Sequence, residues 1–269
     1  MVNKMNLSSY IDALILMLLT SFVFWLISVI KKDVSIVDSL WSLFFVIAAV
    51  ATYISQEEAT LRATIVLVMV VIWAARLSLY ITIRHWGHDE DHRYQAIRLN
   101  NEPGFKYKSL YLIFIFQALI ASVVALPLFY SIESTSTLNF FDFIAIVLWS
   151  VGMFFESVAD FQLYKFKQDS QNNGKVMTSG LWKYSRHPNY FGECLIWWGY
   201  FSFALSDGGL ISIISPIIMT FLLLKFSGVN LLENTLKSRP GYEEYMKNTN
   251  AFIPGLGVSS KKNNKQDVI

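Results

Sequence analysis

Apolar residues along this chain fall into long runs separated by short polar stretches. Seven runs approach the roughly 20 residues that an α-helix needs to cross about 30 Å of hydrocarbon. They cover Tyr10 to Ile30, Ile36 to Ile54, Leu61 to Ile83, Leu110 to Tyr130, Phe140 to Phe161, Tyr190 to Leu205 and Leu210 to Val229, the sixth being short. The predicted fold class is therefore all-α, a polytopic membrane helix bundle of about seven transmembrane helices. No fixed-period repeat and no Gly/Ser- or Pro-rich linker divides the chain, so residues 1–269 are expected to form a single integral membrane domain. The first run is longer than the roughly 7–15-residue core of a signal peptide. Lys31 and Lys32 follow it in place of a small-residue cleavage site, as for a retained span.

The charges between the runs set an orientation. Lys31 and Lys32 fill the first connection, and Arg84, Arg93, Arg98, Lys106 and Lys108 the third. The fifth holds Lys165, Lys167, Lys175, Lys183 and Arg186, and the tail Lys237, Arg239, Lys247, Lys261, Lys262 and Lys265. The intervening connections carry Glu57, Glu58, Glu133 and Asp207, with Arg62 as their one basic residue. Because Lys and Arg gather in cytoplasmic loops, the N-terminus is expected outside and the C-terminus in the cytoplasm. Residues 256–269 read as a flexible basic cytoplasmic tail.

Composition agrees. Hydrophobic residues make up 54 % and charged residues 16 % of the chain, against roughly 45–50 % and about 25 % in soluble proteins. This excludes a disordered chain, a coiled coil and a disulfide scaffold. The net charge of +2 leaves little for nucleic-acid binding, and one cysteine, Cys194, allows no internal disulfide.

Ionisable residues inside a span cost about 2.5–3.5 kcal/mol each on insertion scales and are functional candidates for that reason. They are Asp38, Arg76, Glu156, Asp160, Glu193, Lys225 and Glu233, all in the half of their spans nearer the basic connections. The pattern predicts a polar cavity open to the cytoplasm, with Asp38 and Arg76 paired from neighbouring spans. Glu156, Asp160, Tyr164 and Lys167 follow a spacing that puts them on one helix face. Carboxylates there can accept ribose or amide hydrogen bonds, and the lysine can hold phosphate. A row of salt bridges would give the same pattern. In Gly180 to Glu193, Pro188 suits the first turn of a helix, and Arg186 before it offers a two-pronged grip on an anion. A cytoplasmic loop obeying the charge rule would also carry these residues. His85, His88 and His92 beside Asp89 and Asp91 read as a solvated loop, and no metal is expected.

Gly180 to Glu193 resembles the C-terminal domain of the steroid 5-alpha-reductase family. Arg239-Pro-Gly-Tyr-Glu-Glu-Tyr245 and Phe252-Ile-Pro254 extend the resemblance downstream. Val37-Asp-Ser-Leu-Trp41, Arg76-Leu77 and Glu90-Asp-His-Arg-Tyr94 are similar to the bacterial-type branch of that superfamily. The resemblance implies a reductase-like half over residues 140–255 that holds NADPH facing the cytoplasm. Its cofactor-binding candidates are Asp160, Lys167, Tyr184, Arg186, His187, Asn189, Tyr190, Glu193, Arg239 and Tyr242. The catalytic candidates are Asp38 and Tyr80, matched by depth alone, and Glu156, which stands where the steroid enzymes often carry an amide. The implied reaction is hydride transfer to a conjugated double bond of a steroid-like or other lipid substrate drawn from the bilayer. The implied location is a bacterial inner membrane, with membrane lipids as neighbours. Arg186 to Gly192, with Glu233, Tyr242 and Tyr245, is also similar to membrane methyltransferases acting on isoprenylcysteine and phospholipids. That alternative replaces NADPH with S-adenosylmethionine.

Cysteines placed at positions 57 and 262 of a Cys194-free variant are expected to react with an impermeant thiol reagent from opposite sides of the membrane. Labelling of both from one side would rule out seven spans.

Overall fold

A computed structural model describes residues 5–226 and 229–255, and every regular element among them is helical. The tail 256–269, with Lys262, lies outside the described residues. Helix α1 covers Leu7–Lys31, α2 Ile36–Ile54, α3 Leu61–His85 and α4 His92–Asn101. Helix α5 (Phe105–Ser109) runs through a π-helical stretch, Leu110–Ile115, into α6 (Phe116–Val124), and α7 (Leu126–Ile132) follows. Helix α8 covers Phe140–Gln168, α9 Pro188–Leu205, α10 Ile214–Phe221, α11 Val229–Leu236 and α12 Tyr242–Asn248.

Helices occupy all seven expected runs. Five are long and apolar enough to cross a membrane: α1, α2, α3, the continuous Phe105–Val124 segment and α8. The sixth run, α9, carries Asn189 and Glu193 in its first turns, and the seventh is represented by the shorter apolar segment Leu210–Lys225. The fourth run breaks at Ala125, because Pro127 has no N–H to continue the ladder and instead sits in the first turn of α7. Large apolar side chains such as Leu19, Phe22 and Leu26 on α1, and Phe143 and Phe154 on α8, are exposed. Long helices with such uncovered faces belong to an integral membrane protein, since helices satisfy their own backbone groups in lipid.

The described residues form two compact units, 5–145 with 200–216, and 146–199 with 217–255. In the first, α1, α2, α3, α6 and α7 pack through small buried residues, among them Ala48, Ala49, Ala63, Ala74, Ala118 and Ala121. Small side chains let backbones approach where lipid removes the hydrophobic drive between helices. Serines stitch the contacts: Ser42 Oγ donates to the Ala74 carbonyl at 3.1 Å and Ser21 Oγ to that of Phe114 at 3.3 Å. Side-chain caps start α1, α3 and α4, Asn6 accepting from Ser8 N–H at 3.0 Å, Thr60 from Ala63 N–H at 3.1 Å and Asp91 from Arg93 N–H at 2.9 Å.

Arg62 corrects the charge reading. It is not a loop charge but is fully buried at the start of α3, paired with an equally buried Asp142 of α8. Its Nε donates to Asp142 Oδ1 at 2.7 Å and its Nη2 to Oδ2 at 2.8 Å, and Ser134 Oγ and the Thr137 carbonyl take further N–H groups. Removing one partner of a buried pair strands the other charge, at a cost of about 3–5 kcal/mol. Arg62→Leu is therefore expected to lower the thermal midpoint in detergent sharply. The double variant Arg62→Leu/Asp142→Leu should recover most of that loss.

Candidate functional site

Most of the expected site residues belong to the second unit. Its framework is a backbone-to-backbone contact between α8 and α9. A Cβ added to Gly192 would lie 2.5 Å from the Gly152 carbonyl oxygen and 2.5 Å from Glu156 N, and one added to Gly152 would lie 2.6 Å from the Gly192 oxygen. Only glycine at both positions permits this approach. It puts the N-terminal turns of α9 against the polar stripe of α8. Asp160 Oδ1 accepts from Asn189 Nδ2 at 3.1 Å. Asn189 Oδ1 is buried and takes no hydrogen bond among the described residues. Glu156, Asp160 and Glu193 are all buried, and Glu193 Oε1 accepts from Trp197 Nε1 at 3.0 Å. Further along the stripe Tyr164 and Lys167 are exposed.

The segment before α9 is held by Arg186. The sequence suggests a guanidinium offered to an anion, whereas the structure engages the group inside the protein. Arg186 is buried, and Glu233 Oε1 of α11 accepts from its Nε at 2.8 Å and lies 2.7 Å from Nη2. Its Nη1 donates to the carbonyls of Met246, at 3.0 Å, and Thr249, at 2.5 Å. The Arg186 backbone N–H reaches the Asn250 carbonyl at 2.9 Å. Ser185 Oγ donates to the Phe252 carbonyl at 2.7 Å, and Tyr245 Oη donates to the Trp182 carbonyl. The stretch from α12 to Gly255 is thereby strapped over residues 182–187.

His187 shares the same carboxylate, its Nε2 lying 3.3 Å from Glu233 Oε1, and its ring stacks parallel to that of Tyr190 at 5.6 Å. Burial pushes its pKa down to about 4 although Glu233 opposes the shift. The imidazole is neutral at pH 7. Tyr242 is buried, and burial with help from Glu233 pushes its phenol up to about 12. Tyr184 is partly exposed and contributes its carbonyl, which accepts from Gly255 N–H at 3.0 Å. Arg239 is exposed, with Nη1 donating to the Lys175 carbonyl at 3.2 Å.

Asp38 and Tyr80 belong to the first unit. One Asp38 oxygen lies 2.6 Å from Arg93 Nη2, and the other accepts from Tyr94 Oη at 2.5 Å. Pairing Asp38 with Arg76 from sequence missed both groups. Arg93 also binds Asp91, where burial alone would raise the carboxyl pKa but the Arg93 donors outweigh it and hold it at about 2. His85 joins Asp38 and Asp91, their ligand atoms lying within 4.8 Å of one another, but Arg93 already occupies both carboxylates. Tyr80 is half-buried beneath Arg84, whose guanidinium sits 5.7 Å from the ring centre. Tyr94 is the one buried residue of α4.

The profile of the DUF1295 family, described as a protein of unknown function, matches residues 24–249, and the chain belongs to that family. An uncharacterized protein of Schizosaccharomyces pombe is 27 % identical over 288 aligned positions, which cover 94 % of this chain and 82 % of that protein. No solved structure matches the chain.

The His187 geometry predicts a pH dependence. Between pH 6.5 and about 4 the unfolded chain binds a proton at this histidine that the folded chain excludes. Stability is then fully present above pH 6.5 and falls as the pH drops towards 4, by up to roughly 3 kcal/mol. The thermal midpoint should fall between pH 7 and pH 5, and His187→Gln should flatten that dependence.

Proposed function

We propose that this DUF1295 protein is a membrane-embedded, NADPH-dependent reductase of a conjugated carbon–carbon double bond in a lipid-like substrate. The observation that carries this reading is the Asp160–Asn189 pair with its orphaned amide oxygen. A buried acceptor without a donor costs about 1–3 kcal/mol, so it calls for an N–H or O–H from outside the chain. The carboxamide and ribose hydroxyls of a nicotinamide dinucleotide are donors of that kind. Asp160 fixes the Asn189 amide so that its oxygen, not its nitrogen, meets the ligand. Glu156 and Glu193 add buried carboxylates on the same two helices. Lys167, about 10 Å further along the α8 face, and Arg239 supply exposed cations for phosphates.

When bound, the cofactor supplies a hydride. The chain must then hold a proton for the reduced substrate. Glu156 is the buried carboxyl of the second unit suited to that. Arg186 is a positioning residue in this scheme. It locks the residues before α9, which sets where Asn189 begins the helix.

One observation favours the S-adenosylmethionine-dependent methyltransferase reading. Arg186 is spent on Glu233 and on backbone carbonyls, which leaves fewer cations for a dinucleotide's phosphates.

Thermal-shift titration of the purified protein with each cofactor separates the readings. NADPH should stabilise the wild type, and Asn189→Ala should weaken its binding by about tenfold, the worth of one good hydrogen bond. Lys167→Ala should weaken it less, its end being exposed. Arg186→Ala should lower the midpoint even without ligand. Stabilisation by S-adenosylmethionine alone would establish the methyltransferase, and no shift with either compound would overturn both.

A further inference from the structure

The first unit contains a cavity that the proposed chemistry does not use. It has a volume of about 460 Å³ and lies between the end of α1 and the α4–α5 corner. Ser28, Val34, Phe105 and Ser109 are buried in its lining, while Lys32 and Lys106 are its exposed cations.

Arg98 is the fixed element of this cavity. Glu90 grips it through both oxygens, Oε2 to Nε at 2.9 Å and Oε1 to Nη2 at 2.7 Å. The Lys32 carbonyl takes Nη2 at 3.2 Å, and the Phe105 ring centre lies 4.5 Å from the guanidinium carbon. Lys32 itself adopts a left-handed backbone, φ 57°, which side-chain-bearing residues rarely do. Among the described residues nothing takes the two N–H groups of Arg98 Nη1. The guanidinium is thus immobilised on three sides with one donor edge left over. Glu90 offsets the Arg98 charge and also accepts from Val34 N–H at 2.9 Å. Of the other charges lining the cavity, Lys32 and Lys106 outnumber the carboxylate of Glu102, which caps Phe105 N–H at 3.5 Å, and Asp33 is a further carboxylate near Arg98 outside the lining.

We propose that this cavity is a phosphate-binding site, with Arg98 Nη1 as the fixed donor and Lys32 and Lys106 as the counter-charges. A rigid guanidinium edge suits phosphate oxygens, and lysines add charge without demanding a set geometry. The phosphate belongs either to a phospholipid headgroup or to a soluble phosphate ester. The surroundings favour the lipid. Trp25 Nε1 donates to the Lys106 carbonyl at 2.8 Å, and Ile30 and Tyr107 beside the site are exposed. A tryptophan and a tyrosine next to lysines are typical of a membrane–water boundary. The inference is independent of the proposed reductase activity.

The test compares thermal midpoints of the full chain in nanodiscs of phosphatidylcholine alone and of phosphatidylcholine with phosphatidylglycerol. A second arm titrates the detergent-solubilised protein with glycerol 1-phosphate. Arg98→Lys keeps a charge for Glu90 but removes the Nη1 edge, and Lys32→Ala/Lys106→Ala removes two exposed cations without cutting a buried pair. A midpoint rise with phosphatidylglycerol only identifies a lipid headgroup, and a rise with glycerol 1-phosphate identifies a soluble ester. The double variant should remove most of the midpoint rise in the nanodisc arm and, in the titration, raise the glycerol 1-phosphate concentration needed for half the effect by about tenfold or more. Arg98→Lys should do the same, and if it fails to fold the double variant carries the test. No rise in either arm, or a rise unchanged in the variants, overturns the proposal.

Discussion

A buried guanidinium has to be given acceptors, and in the second unit that requirement falls on Arg186. Five N–H groups fixed in one plane must find partners from different parts of the chain. Glu233 answers from α11, and the carbonyls of residues 246 and 249 answer from the end of α12. Once these are in place little freedom remains around them. His187 has to share Glu233 as a neutral ring, Ser185 has to face Phe252, and Tyr245 closes over Trp182. The candidate site inherits its shape from that demand, since the residues that open α9 leave directly from the clamp.

The second constraint is steric. In lipid, helices gain little from burying apolar side chains against each other, so close backbone approach takes over. Gly152 and Gly192 supply it in the second unit, and alanines and serines supply it in the first. A contact of this kind leaves no room for a side chain and brings whatever flanks it into register. Here the flanking residues are Glu156 and Asp160 on one helix and Asn189 and Glu193 on the other. Asp160 and Asn189 meet because the two residues at the contact have no side chain.

Much of this could be read from sequence. The second apolar run, Ile36 to Ile54, has the bounds of α2, and the third ends within two residues of α3. Hydropathy alone fixes such elements, because the bilayer sets their length. The stripe from Glu156 to Lys167 was legible by periodicity, and the structure puts its two carboxylates inside and its lysine outside. Pairings across long separations were not legible. Nothing periodic links Arg62 to Asp142, Asp38 to Arg93 and Tyr94, or Arg186 to Glu233. Arg62 resembles a loop residue because it sits second in its helix, and Asp142, third in its own, is equally close to a helix start. Arg186 carried a genuine signal, a lone basic residue before a proline-led helix. Whether such a group faces a ligand or the protein depends on where the far end of the chain returns.

That return has a distinctive grammar. Arg186 takes the main-chain oxygens of residues 246 and 249, its own N–H takes that of residue 250, and Ser185 takes that of residue 252. The clamp therefore reads the strap as a backbone, blind to most of the side chains that pass through it. Substitution along residues 246 to 252 leaves these acceptors in place. A single inserted or deleted residue among them would put the carbonyls on its two sides out of step with each other. Selection on this stretch then acts on its length far more than on its spelling, and divergent relatives can conserve the spacing where they have lost the letters.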